Sequence, residues 1–92
     1  MKTQIKISDS RTVLLINSDP YVIFGRMGYT PVIDVEEIHK GTKGYLVITA
    51  VSLGEPLNQI QVENSGKLEG VTIAIQKENS SKFSPYIVER LD

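Results

Sequence analysis

Residues 57–77, LNQIQVENSGKLEGVTIAIQK, decide how this chain is read, because they hold its most regular pattern. Apolar residues recur at every second position on both sides of Asn64-Ser65-Gly66-Lys67, as Ile60 and Val62 before it and Val71, Ile73 and Ile75 after it. That period belongs to a half-buried strand. A two-residue Ser65-Gly66 turn sets Ile60 opposite Val71 and Asn58 opposite Ile73, so the apolar set shares one face. Gln59, Gln61 and Glu63 then face water with Thr72, Ala74 and Gln76. The expectation is a β-hairpin of residues 57–63 and 68–77.

Working outward, residues 45–53 are apolar on both sides and read as a central strand, which Gly54-Glu55-Pro56 closes because Pro56 lacks an N–H and fixes φ. Residues 39–44 form a polar, glycine-bearing connection before it. Residues 32–38 suit a strand through Ile33 and Val35, with a single helical turn as the alternative, since Val32, Val35 and Ile38 also recur at helical spacing. Thr12-Val13-Leu14-Leu15-Ile16 is a short central strand ended by Asn17-Ser18-Asp19-Pro20, where side chains bond their own backbone and Pro20 disfavours helix. Tyr21-Val22-Ile23-Phe24 is a further strand, followed by a loop over residues 25–31 with two glycines free to adopt positive φ. Residues 2–8 alternate as an edge strand whose lysines discourage pairing with another chain. Residues 86–91 read as a closing strand, or as a short helix opened by Ser84 and Pro85. The sum is an all-β fold: a small antiparallel sandwich or barrel of about seven short strands, with room for one short helical turn. Residues 1–92 are expected to form a single β domain.

Composition narrows the function classes. Hydrophobic residues make up 40% and charged residues 23%, as in ordinary packed domains. Ten basic residues against eleven acidic ones leave a net charge of −1, which supplies no long-range attraction to nucleic acid or an anionic membrane. Cysteine is absent, so no disulfide or thiolate site can form, and a reducing compartment is favoured. Residues 1–8 carry no apolar signal segment, and the longest apolar runs are too short to span a bilayer. A cytoplasmic protein with no membrane partner is expected.

Chemistry-bearing patterns are sparse. His39 is the one conventional base, in a polar turn beside Lys40, and reads as a solvated loop residue. Asp34, Glu36 and Glu37 fall on both sides of their strand and read as a charged face rather than a cation site. Gly25-Arg26-Met27-Gly28 lacks the Gly-Lys-Ser/Thr ending of a phosphate loop. No catalytic, metal or cofactor site is therefore assigned. The same loop does put Arg26, Met27 and Tyr29 beside Phe24, a mixture enriched at protein interfaces. These four residues are the candidate partner-binding set.

The leading reading is a non-catalytic binding or assembly module acting through protein–protein contacts, with another protein or further copies of itself as partner. Homo-oligomer formation fits a small core with several apolar strands. A small nucleic-acid-binding β-barrel is the first alternative, since six of the ten basic residues precede Gly44, although five acidic ones accompany them. An enzyme or small-ligand protein with a site formed between subunits is the second, with His39 and the acidic cluster meeting across chains.

Overall fold

The computed structural model describes residues 3–26, 28–81 and 84–91. Strands form where β-branched and aromatic residues crowd: β1 (Thr3–Gln4), β2 (Thr12–Ile16), β3 (Tyr21–Gly25), β4 (Gly28–Glu37), β5 (Thr42–Val47), β6 (Thr72–Lys77) and β7 (Tyr86–Arg90). They make one seven-stranded sheet in the order β1-β5-β4-β2-β6-β7, with β3 paired to β4 off that path. Every pairing is antiparallel except that of β1 with β5. The mostly β, seven-strand character matches the sequence expectation, as do the central position of β2 and the strand state of residues 32–37 and 86–90. Of the described part of the expected edge strand over 2–8 only Thr3–Gln4 is strand, at the sheet edge and parallel to β5, and the expected 68–77 strand begins at Thr72 because residues 64–71 carry the chain off the helix end.

One element departs from that expectation altogether. The 13-residue helix α1 (Val51–Glu63) replaces the first strand of the expected hairpin and takes in Gly54-Glu55-Pro56 as well. Leu53, Leu57 and Ile60 recur at i, i+4 and i+7, one face of a helix, and all three are buried. Val62, which the alternating pattern turned inward, is 68% exposed. The positive φ of Ser65 (60°) and Gly66 (86°) ends a helix here instead of turning a hairpin, with the Gly66 N–H donating to the Gln61 carbonyl at 2.7 Å. Pro56 sits inside the helix, where its φ fits, although the bond to the Ser52 carbonyl is lost and the ring crowds that carbonyl. Strand β5 accordingly stops at Val47 and begins at Thr42, so the 45–53 strand and the 39–44 connection are both corrected.

Helix α1 and the sheet enclose the core. Leu14 and Ile16 from β2, Ile33 and Val35 from β4, and Ile73 and Ile75 from β6 are buried with the helical Leu53, Leu57 and Ile60. The Tyr86 N–H donates to the Ser52 hydroxyl at 3.0 Å, and the Arg90 guanidinium to the Asn64 side-chain oxygen at 3.4 Å. Both ends of the helix are thus tied to the outer strand β7. Residues 3–8 cross from β5 to β6: the Ile5 N–H donates to the Tyr45 carbonyl at 2.8 Å, and the Lys77 N–H to the Ser8 carbonyl at 2.7 Å. Ile5 and Ile7 are buried beneath this crossing.

Candidate functional site

Strands β2 and β3 lie end to end along one edge of β4. Ile16 pairs with Val35 and Tyr21 with Val32, so the four residues Asn17-Ser18-Asp19-Pro20 bulge out opposite Ile33 and Asp34. The turn chemistry read from the sequence therefore makes a kink within a line of pairing. Asp34 holds it together. Its N–H donates to the Ser18 hydroxyl at 2.9 Å, its carbonyl accepts from the Asn17 N–H at 2.8 Å, and its carboxylate accepts from the Tyr21 hydroxyl at 2.6 Å.

Asp19 clamps the bulge to the loop after α1. Its carboxylate accepts the Leu68 and Glu69 N–H groups at 2.8 and 3.2 Å. Those two bonds, helped by the nearby Lys67, hold its pKa below the ordinary 3.8 against a small opposing effect of burial. A carboxylate depressed on folding stabilises the fold above its unfolded pKa and loses that contribution as pH falls through the folded value. Asp19→Asn is expected to melt below wild type at neutral pH, with the gap closing as acidification passes below the ordinary carboxylate range. Thermal melts across that range check it, and a constant gap would refute the clamp.

Beyond the kink, β3 and the first half of β4 form a hairpin with Gly25 opposite Gly28. Tyr29, Thr30 and Pro31, expected in the loop, belong to β4, so the connection is shorter and stiffer than the 25–31 loop. Gly28, at φ 93°, supplies the positive φ that the tight connection requires. On one face of the hairpin Phe24 and Tyr29 pair directly, their rings edge to face with centroids 5.1 Å apart. Both stand almost free of cover, Phe24 being 75% and Tyr29 79% exposed, and Val22 on the same face is exposed too. Arg26 is exposed at the tip. Three of the four candidate partner-binding residues, Phe24, Arg26 and Tyr29, thus gather at one projecting end, and Met27 lies outside the described residues.

The side of the hairpin that carries Ile23 and Thr30 borders a groove of about 500 Å³, bounded also by Gln4, Arg26 and Val47 and reached by Tyr29 at its margin. Sequence reading missed this groove, since its walls come from four strands, β1, β3, β4 and β5, that only the fold brings together. Val22 was missed as well. Its signal was available: in Tyr21-Val22-Ile23-Phe24 both strand faces are apolar, and only one of them can meet the core.

The remaining candidates stay apart. His39 is exposed in the turn after β4, where the Gly41 N–H donates to the Glu37 carbonyl at 2.7 Å. Glu37 lies 3.8 Å from Lys40, whereas Asp34 is engaged at the bulge. Among the described residues no three His, Asp or Glu side chains converge on a possible metal position. No helix among them is long and apolar enough to cross a membrane. No protein-family model, curated protein or solved structure matches this chain.

Proposed function

We propose that this chain is a non-catalytic binding module that acts through protein–protein contacts, with the tip of the β3–β4 hairpin as its contact surface. One observation carries the reading: two aromatic rings, Phe24 and Tyr29, stand more than 70% exposed while already packed edge to face. Leaving such area in water forgoes burial that contributes roughly 1.5–3 kcal/mol per large apolar side chain. The pair is also pre-ordered, so a partner that covers it meets little further side-chain entropy cost. Arg26 beside it adds the third residue type common among interface residues of large effect. The bulge clamped by Asp34 and Asp19 supplies the rigid base that such a projecting element needs. Another protein and a second copy of this chain are both partners of the right kind, and the cysteine-free composition supports a cytoplasmic setting.

Phe24→Ala, Arg26→Ala and Tyr29→Ala test this. Each is expected to alter folding stability by under about 0.5 kcal/mol and to weaken the partner complex or self-association by about tenfold or more. Quantitative capture from native extract, run beside sedimentation of the purified chain, supplies the readout. Unchanged capture and unchanged association in all three variants would reject the hairpin tip.

A further inference from the structure

The hairpin runs past the end of β5. Val32 pairs with Val47, the last residue of that strand, and the Ile48 N–H still reaches the Pro31 carbonyl at 3.1 Å. There the chain leaves the sheet toward α1. Peptide groups alternate in direction along a strand, so the Tyr29 N–H and C=O point to the same side as the Pro31 carbonyl, one step beyond the reach of β5. They do not serve β3, because the alternation assigns those bonds to Gly28 and Thr30. Tyr29 therefore offers a donor and an acceptor on an open sheet edge, the template that an added strand uses.

Charge is distributed unevenly around this edge. Arg26 is the charged residue of the groove beside it. At Gln4, Val47 and Thr49 that groove meets a second one of about 300 Å³, whose charged residues are Lys6 and Lys77. Among the described residues no carboxylate lines either groove. Among the described residues none of the three cations has an ion-pair partner, the Lys77 ammonium resting instead 5.7 Å from the Tyr86 ring centroid. A chain of net charge −1 thus gathers three uncompensated cations along one path. Ile23 and Val47 supply apolar wall between them.

We propose that this path receives an acidic, extended segment of a partner protein. Its backbone pairs with the Tyr29 edge, and its alternate carboxylates, about 7 Å apart along a strand, lie against Arg26, Lys6 and Lys77. The inference rests on the hairpin as a partner-binding element and adds the partner's chemistry and mode. Single-stranded nucleic acid would also bring negative charge, yet it has no alternating amide N–H and C=O to satisfy Tyr29. The open edge therefore favours the peptide.

Fluorescence anisotropy on the full chain tests it with a labelled peptide of about ten residues alternating Glu and Thr. A Lys–Thr peptide of equal length and a thymidine oligonucleotide serve as competitors. The Glu peptide is expected to bind, the Lys peptide at least about tenfold more weakly, and the combined Lys6→Glu and Arg26→Glu variant to lose about tenfold in affinity. Tyr29→Pro deletes the edge N–H without touching a β3–β4 hydrogen bond, so it is expected to bind about three- to tenfold more weakly than Tyr29→Ala. Val62→Ala, on the exposed face of α1 and outside both grooves, leaves peptide affinity unchanged. No binding at about 1 mM, equal binding of the Lys peptide, equal affinity of the two Tyr29 variants, or tighter binding of the oligonucleotide each overturns the proposal. Absent peptide binding with capture still dependent on Phe24 defeats the acidic segment alone and leaves the hairpin reading in place.

Discussion

Leu57→Ala is expected to lower the unfolding free energy by about 2–5 kcal/mol, whereas Val62→Ala should change it by no more than about 0.5 kcal/mol. The contrast follows from the helix. Leu57 is 1% exposed between α1 and the sheet, touching the layer formed by β2, β4 and β6. Truncation there removes its transfer free energy and leaves a cavity that neighbours on both sides, fixed by strand pairing, cannot collapse to fill. Val62 faces water beyond the buried stripe of Leu53, Leu57 and Ile60. An alternating strand over 57–63 would invert this pair by turning Ile60 and Val62 inward together. In a domain of this size the Leu57 loss is a large part of a total near 5–15 kcal/mol. Denaturant titration of the two variants measures both values, and a Val62→Ala cost equal to that of Leu57→Ala would contradict the helix.

That same contrast marks where the sequence was ambiguous. Ile60 and Val62 satisfy period two, while Leu53, Leu57 and Ile60 satisfy period 3.6, and Ile60 belongs to both patterns. Positive-φ residues at 65 and 66 could not arbitrate, since hairpin turns and helix ends need the same backbone region. The Leu, Gln and Glu content of residues 57–63 favoured helix, but Gly54 and Pro56 weighed the other way by their general reluctance to enter one. Elsewhere one pattern dominated and reading succeeded. Thr12 to Ile16 and Tyr21 to Phe24 are too short and too β-branched for a helix, and both are strands. The candidate site was half legible: Phe24, Arg26 and Tyr29 could be chosen from composition, as one turn gathers them. Nothing local in the chain could have joined Gln4, Lys6 and Lys77 to Arg26, since that placement depends on β1 docking beside β5 and on residues 3–8 crossing to β6.

Gly44 governs that docking, and Gly44→Ala is expected to cost about 2–3 kcal/mol through loss of β1. Gly44 pairs with Thr3 inside β5. A Cβ on it would overlap the Thr3 carbonyl oxygen and approach the Ile5 side chain to 3.0 Å. The first obstacle is backbone, which no rotamer change can remove, so glycine here marks close approach of two strands rather than a turn. Relief requires the N-terminal strand to lift, breaking the bond from the Ile5 N–H to the Tyr45 carbonyl and exposing Ile5, now 7% exposed. Two measurements separate this local release from general weakening. Hydrogen exchange should speed at the Ile5 amide while the Leu14 and Ile73 amides stay protected. Ile5→Ala should add little to Gly44→Ala, because a side chain already displaced has no burial left to lose. Full protection at Ile5 in a Gly44→Ala protein of wild-type stability would mean that β1 does not depend on this contact. If β1 does lift, Gln4 leaves the junction of the two grooves and Lys6 moves away from Lys77. The variant should then also lose affinity for an acidic strand, while contacts made by Phe24 on the far side of the hairpin persist.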